Sequence, residues 1–149
     1  MFQPGKMTYR NFGNSGLKVS VISMGNMINV REDTYEEDKK IIEVCLKNGI
    51  NHFDTAEVYS LGNAELQLGK ILKDLNVTRE EVVISTKVYT AKDPDINSTK
   101  STNRKHIRES IKKSLQRLQL DYVDILYAHI YDYDTPLEEA CRAFHEVIE

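Results

Sequence analysis

The chain has 149 residues, of which 40% are hydrophobic and 29% charged, and a formal net charge of −3. That length suits one domain of ordinary size, so residues 1–149 are expected to form a single domain. The small, interspersed charge argues against a nucleic-acid surface or an acidic disordered tail, and no apolar run approaches the roughly 20 residues that cross a bilayer.

In chain order, YRNFGNSGLKVS places two short strand-like pieces around Gly13-Asn14-Ser15-Gly16, residues that favour a hairpin turn, and reads as a small lid ahead of the main fold. VSVISMG follows as a first apolar strand ending at Gly25. DTYEEDKKIIEVCLKNG is then a helix, with Thr34 and Glu37 spaced for a capping box, Ile41, Val44, Cys45 and Asn48 on one face, and Gly49 as its left-handed terminator. INHFDTA is the second strand. From Asn63 a second helix carries Ala64, Leu68, Ile71, Leu72 and Leu75 at helical spacing. EVVISTKVY is the third strand, and after the polar loop TAKDPDINSTKSTN a third helix presents Ile107, Ile111, Leu115 and Leu118. DYVDILYAH is the fourth strand. TPLEEACRAFHEVIE is the fourth helix, with Thr135 as cap, Pro136 in first position and Glu138 and Glu139 in the first turn.

Four βα units whose strands look apolar on both faces predict a parallel sheet covered by helices. No GxGxxG follows the first strand, which weakens a dinucleotide-binding doubly wound sheet, whereas a (β/α)8 barrel needs no such motif. Barrels have eight units and this chain has four. Its last helix is still in apolar register at Phe144, Val147 and Ile148, so the chain reads as half a barrel, expected to be unstable, dimeric or fragmentary when isolated.

The strand C-terminal ends of such a barrel carry its site, and the polar residues there are Asp54, Tyr59, Lys87 and His129. Val83, Ser85 and Lys87 share one strand face, as do Val123, Ile125, Tyr127 and His129. A phenol gives up its proton poorly at neutral pH unless its anion is stabilised; a lysine ammonium does that, and an aspartate keeps the lysine charged and aimed. Asp54, Lys87 and Tyr59 thus make a general-acid relay toward an oxygen on which negative charge develops, with a neutral His129 orienting a carbonyl or joining the proton transfer.

Each residue also has a plainer reading: a loop cap for Asp54, packing for Tyr59, a snorkelling edge residue for Lys87, a core histidine for His129. Their joint position at successive strand ends favours chemistry. A Schiff base at Lys87 would leave the phenol and aspartate unexplained, and a metal held by His129, Asp54 and Glu57 lacks a convergent third ligand, so no metal is expected. His52, His106 and His145 read as structural or solvated, and the KDPD and RKH charges as surface. Cys45 and Cys141, with no CxxC, read as buried free thiols of a reducing compartment. With an N-terminal MFQPGKMTYR that lacks the apolar core of a secretory signal, the chain reads as cytoplasmic.

On these residues the chain resembles the aldo-keto reductase superfamily, and within it the branch that contains the β subunits of voltage-gated potassium channels. The resemblance rests on YRNFGNSGLKVSVISMG, NGINHFDTAEVYSLGNAELQLGKIL, VVISTKV, RKHIRESIKKSLQRLQLDYVDILYAH and TPLEEACRAF. It implies a (β/α)8 barrel with an N-terminal hairpin and NADPH-dependent reduction of a small aldehyde or ketone. It also implies that Tyr59 is the proton donor, Lys87 promotes that donation, Asp54 supports Lys87 and His129 orients the substrate. Asn26 and Met27, where family members place a Gly-Thr-Trp type sequence, together with Asp54, would border the cofactor. The channel branch implies a homotetramer and a potassium channel α subunit as partner, but its members often carry asparagine at the position of His129, and histidine there points toward a reductase. Most of the family's NADP-binding groups lie on later strands, so this N-terminal half is expected to hold the catalytic tetrad and only part of the cofactor site, as in a truncated or fragmentary copy.

Overall fold

A computed structural model describes residues 7–27, 32–91 and 94–148. The hairpin forms as expected: β1 (Tyr9–Asn11) and β2 (Lys18–Ser20) pair antiparallel, Tyr9 opposite Ser20. It is a plug rather than a lid. Tyr9 Oη donates to the Gly49 carbonyl at 2.7 Å and the Ser20 N–H to Asn51 Oδ1 at 2.7 Å, both just before the next parallel strand begins. The hairpin therefore closes the N-terminal end of that strand, opposite the end that carries Asp54.

The main sheet is all parallel, in the order β3 (Met24–Gly25), β4 (His52–Asp54), β5 (Val83–Val88) and β6 (Ile125–Ala128). The expected first strand, VSVISMG, is divided, because Val19 and Ser20 pair with the hairpin and only Met24 and Gly25 join the sheet. The crossovers are α1 (Tyr35–Lys47), α2 (Asn63–Asp74) and α3 (Arg104–Leu118), and α4 (Leu137–Glu146) follows β6.

The helix-facing core joins Ile42, Leu46, Phe53, Leu68, Ile71, Leu72, Val82, Ile84 and Leu118, and a second cluster joins Val88, Ile107, Ala140 and Ala143. The row expected on α2 packs, whereas on α3 only Ile107 and Leu118 of the expected row are buried, Ile111 and Leu115 being half-exposed, and the rest of the buried row is His106, Ser110 and Ser114. On α1 the buried row is Asp38, Ile42 and Leu46, while Ile41 and Val44 are exposed. Adjacent rows on a helix both satisfy helical spacing, so periodicity could not choose between them.

Gly49 ends α1 at φ +81°, the left-handed conformation its position called for. The capping box does not form: Thr34 makes no side-chain cap and instead donates to Asp38 Oδ2 at 3.0 Å. At α4 the N-cap is Pro136, and Thr135 Oγ1 donates to Asp132 Oδ2 at 2.6 Å. The strong cap is Asn103, whose side chain accepts the His106 N–H at 2.8 Å. Gly69 of α2 lies against α3 so closely that a Cβ there would sit 2.1 Å from the Leu118 carbonyl oxygen.

Three further expectations are corrected. The strands are not apolar on both faces: Phe53 and Ile84 meet the helices, while the other side carries His52, Asp54, Ser85 and Lys87. The RKH run is not surface throughout: Arg104 and Lys105 are exposed, but His106 is buried, which agrees with the structural one of its two readings. Cys141 is exposed and Cys45 half-buried, both free thiols. Among the described residues no helix is long and apolar enough to cross a membrane.

Candidate active site

Strand register brings the chemistry together. Asp54 is opposite Ser85, Ser85 opposite Ile125, and Lys87 opposite Tyr127, so residues two apart on neighbouring strands stack in layers on the face away from the helices. Backbone pairing continues past the strands and holds the rim: Thr55 N–H donates to the Ser85 carbonyl at 2.9 Å and His129 N–H to the Val88 carbonyl at 3.1 Å. Asn26 holds the end of β4 from the other side, with its backbone N–H 2.8 Å and its Nδ2 3.1 Å from the Asp54 carbonyl oxygen. Tyr59 opens a 3-10 turn, Tyr59–Gly62, in which Ser60 (φ 48°) and Leu61 (φ 55°) are left-handed. Such a conformation costs a non-glycine residue roughly 1–2 kcal/mol, so the surrounding structure sustains strain directly after the phenol.

Lys87 Nζ is the hub. It lies 2.5 Å from Asp54 Oδ2, 2.8 Å from the Thr55 carbonyl oxygen and 3.2 Å from Tyr59 Oη. Three acceptors use all three ammonium hydrogens. Tyr59 Oη, as an acceptor from Lys87, keeps its own proton for donation. The side chains of Lys87 and Asp54 are only 14% and 25% exposed, which strengthens their attraction relative to a surface pair. The His129 ring stands edge-on to Tyr59, with centroids 5.6 Å apart and planes at 80°. Burial and then the Lys87 charge hold the His129 imidazole below its ordinary pKa, so it is neutral at pH 7. All four expected residues therefore meet at one rim.

Sequence reasoning missed the layer beneath. Ser85 Oγ donates to Asp54 Oδ1 at 2.6 Å, and His52 Nε2 lies 3.0 Å from the same Ser85 oxygen. Tyr127, on the same layer as Lys87, is raised by burial and by the Asp54 charge. It also missed how the Tyr59 loop is anchored. Glu57, 1% exposed, accepts from the Tyr89 N–H at 2.7 Å and from the Ser110 hydroxyl, with His106 Nε2 at 3.0 Å. Burial alone would raise Glu57, but these bonds prevail and hold it below the usual carboxylate range. The available signal was the row His106, Ser110, Ser114 and Leu118, one turn apart on α3 and all buried. Met27, expected near a cofactor, is exposed, and Asn26 spends its amide on the backbone. Among the described residues no group of three or more His, Cys, Asp or Glu side chains could hold a metal ion.

Residues 22–149 match the model of the Aldo/keto reductase family. The chain belongs to this family. Its relatives include a protein of Schizosaccharomyces pombe and one of Arabidopsis thaliana, each carrying the name of a voltage-gated potassium channel subunit beta. They are 43% identical over 99% of this chain and 44% identical over 96% of it, respectively. The alignments cover 44% and 43% of those proteins, so this aldo/keto reductase chain spans less than half the length of the curated relatives it matches. Among solved structures, an aldo-keto reductase of Bacillus halodurans in its holo form superposes with a TM-score of 0.83 at 32% identity, covering 95% of this chain and 46% of that one. A thermostable aldo-keto reductase in complex with the inhibitor epalrestat gives 0.82 at 29% identity, covering 95% and 50%. The parallel sheet is thus half of the (β/α)8 barrel of this family.

Proposed function

We propose that this chain is the N-terminal half of an aldo-keto reductase domain and supplies the proton in the NADPH-dependent reduction of a small aldehyde or ketone to an alcohol. The observation that carries the reading is the placement of Lys87 Nζ between Asp54 Oδ2 at 2.5 Å and Tyr59 Oη at 3.2 Å. When a carbonyl oxygen accepts the Tyr59 proton, Lys87 stabilises the phenolate left behind and Asp54 compensates the lysine charge. The neutral His129 ring beside Tyr59 orients the carbonyl.

The donor set fits a hydride cofactor, because a relay that only delivers a proton needs a partner delivering two electrons, and no side chain in the cluster does so. NADPH, when bound, supplies that hydride; the exposed Met27 and the rim beside Asn26 and Asp54 would border it. Free thiols at Cys45 and Cys141 agree with a cytoplasmic setting. In the complete barrel of which this chain is one half, Tyr59→Phe is expected to slow NADPH-dependent turnover of an aldehyde panel by about 10²-fold or more. Unchanged turnover would remove Tyr59 as the acid.

A second reading, a cytoplasmic regulator of a potassium channel that senses nicotinamide redox state as a homotetramer, is favoured by the names of the curated relatives. Co-purification with a channel α subunit and a tetrameric mass in sedimentation would support it; a monomer that does not bind channel would refute it.

A further inference from the structure

We infer that His52 and Ser85 are a positioning pair that fixes the Asp54 carboxylate: His52 Nε2–H donates to Ser85 Oγ, Ser85 Oγ–H donates to Asp54 Oδ1, and Oδ2 is thereby reserved for Lys87. The inference rests on the proton-relay reading of Tyr59 and Lys87 and extends it one layer toward the N-terminal ends of the strands. The pleat builds the arrangement. His52 and Asp54 are two apart on β4, Ser85 and Lys87 two apart on β5, and Asp54 is in register with Ser85, so the four side chains share one face.

Proton counting sets the direction. An ionised carboxylate only accepts, so the single hydroxyl proton of Ser85 goes to Asp54 Oδ1 at 2.6 Å. The Ser85 oxygen can then only accept from His52 Nε2 at 3.0 Å, which makes that nitrogen the protonated one. Burial pushes His52 below its ordinary pKa, partly offset by the Asp54 charge, so the ring donates as a neutral imidazole. Neutrality matters because a cation at this point would compete with Lys87 for Asp54. Ser85 itself is fully buried, leaving no water route to replace its bond. Without Oδ1 anchored, the carboxylate can rotate, and Lys87 loses the fixed acceptor that directs its remaining hydrogens to Thr55 O and Tyr59 Oη.

The test has two arms. Nitrogen-15 NMR of the unsubstituted protein, with His52 assigned by comparison with His52→Gln, is expected to show the Nε2–H tautomer at neutral pH; the Nδ1–H tautomer would overturn the pair. In steady-state kinetics of the complete barrel, Ser85→Ala is expected to lower kcat by about 10-fold with KM within about twofold, the scale of one hydrogen bond to a charged group. His52→Leu is expected to lower kcat by about fivefold and His52→Gln, which keeps a donor at that reach, to restore it to within about twofold of the unsubstituted protein. Unimpaired turnover in Ser85→Ala, or equal turnover in His52→Gln and His52→Leu, would refute the assignment. Tyr59→Phe measured alongside separates the two claims. Full turnover there overturns the acid role, while the tautomer still decides the pair without reference to activity.

Discussion

The two faces of the parallel sheet are made from alternate residues of the same short strands and behave as different materials. Toward the helices, Phe53, Ile84 and Thr86 are fully buried, and the one polar member is satisfied: Thr86 Oγ1 donates to Glu65 Oε1 at 2.5 Å, and Glu65 Oε2 accepts from Arg117 Nε at 2.6 Å. Toward the other side, His52, Asp54, Ser85 and Lys87 form a continuous hydrogen-bonded ladder that ends at the Tyr59 phenol. The helix face uses polar groups as rivets within an apolar layer. The opposite face spends nearly its whole polar inventory on aiming one ammonium, an arrangement justified by chemistry rather than by stability, since buried charges contribute little net stabilisation against an apolar packing of the same shape.

That contrast predicts different consequences for substitutions on the two sides of the sheet. The largest effect is expected at Lys87→Met, which in the complete barrel should lower NADPH-dependent turnover by about 10³-fold because Tyr59 loses the charge that stabilises its anion. Its urea midpoint should move less than that of the helix-face variant below, and a turnover within tenfold of the unsubstituted protein would end the distinction between the faces. Next, Glu65→Ala should destabilise the protein by about 3 kcal/mol, because it strands the partly buried Arg117 and leaves Thr86 without its acceptor. A change below about 1 kcal/mol in urea unfolding would mean that water replaces the carboxylate.

Smaller again is Gly69→Ala on the helix side. With the Leu118 carbonyl oxygen 2.1 Å from the added methyl group, α2 and α3 must separate, at a cost of about 1–3 kcal/mol in thermal or urea unfolding and without a change in KM. A stabilised Gly69→Ala variant, the usual result in an exposed helix, would contradict the close approach.

The smallest effect concerns the rim loops bordering the polar face. Asp132 accepts from the Thr102 N–H at 2.8 Å and from Thr135 Oγ1 at 2.6 Å; burial opposes its charge, but these bonds lower its pKa from 3.8 to about 2. A depressed carboxylate contributes stability that is present above its unfolded value and lost as pH falls through the folded one. The stability gap between the unsubstituted protein and Asp132→Asn should therefore be full above pH 3.8 and close as pH approaches about 2. A gap independent of pH would show that the bonds, rather than the charge, do the anchoring.

Much of this was legible in the linear order of residues. Asp54, Tyr59, Lys87 and His129 could be grouped because each follows an apolar strand signal, and parallel βα repetition puts all such positions at one end of the sheet. Strand alternation even placed Ser85 on the face of Lys87. What could not be read was its partner, because His52 and Ser85 meet only through a register between strands that are about thirty residues apart. The buried α1 row was likewise undetermined: Ile41-Ile42 and Val44-Cys45-Leu46 offer apolar residues to two adjacent rows, and only the shape of the neighbouring sheet selects Ile42 and Leu46. Short-range polar pairings misled for a related reason. Thr34 and Thr135 have several acceptors within a turn, and each took an aspartate rather than a helix N-terminus.

By itself the sequence determined the order of strands and helices, the end of the sheet where the polar residues lie and the identity of the four side chains at the rim. These follow from local periodicity, turn chemistry and the uniform direction of βα units. Only the tertiary structure decided which oxygen of Asp54 meets Lys87, that His52 and Ser85 stand behind the other, and that Glu57 and His106 anchor the loop bearing Tyr59. Those depend on register and on distances of a few tenths of an ångström between distant segments, which no local rule encodes.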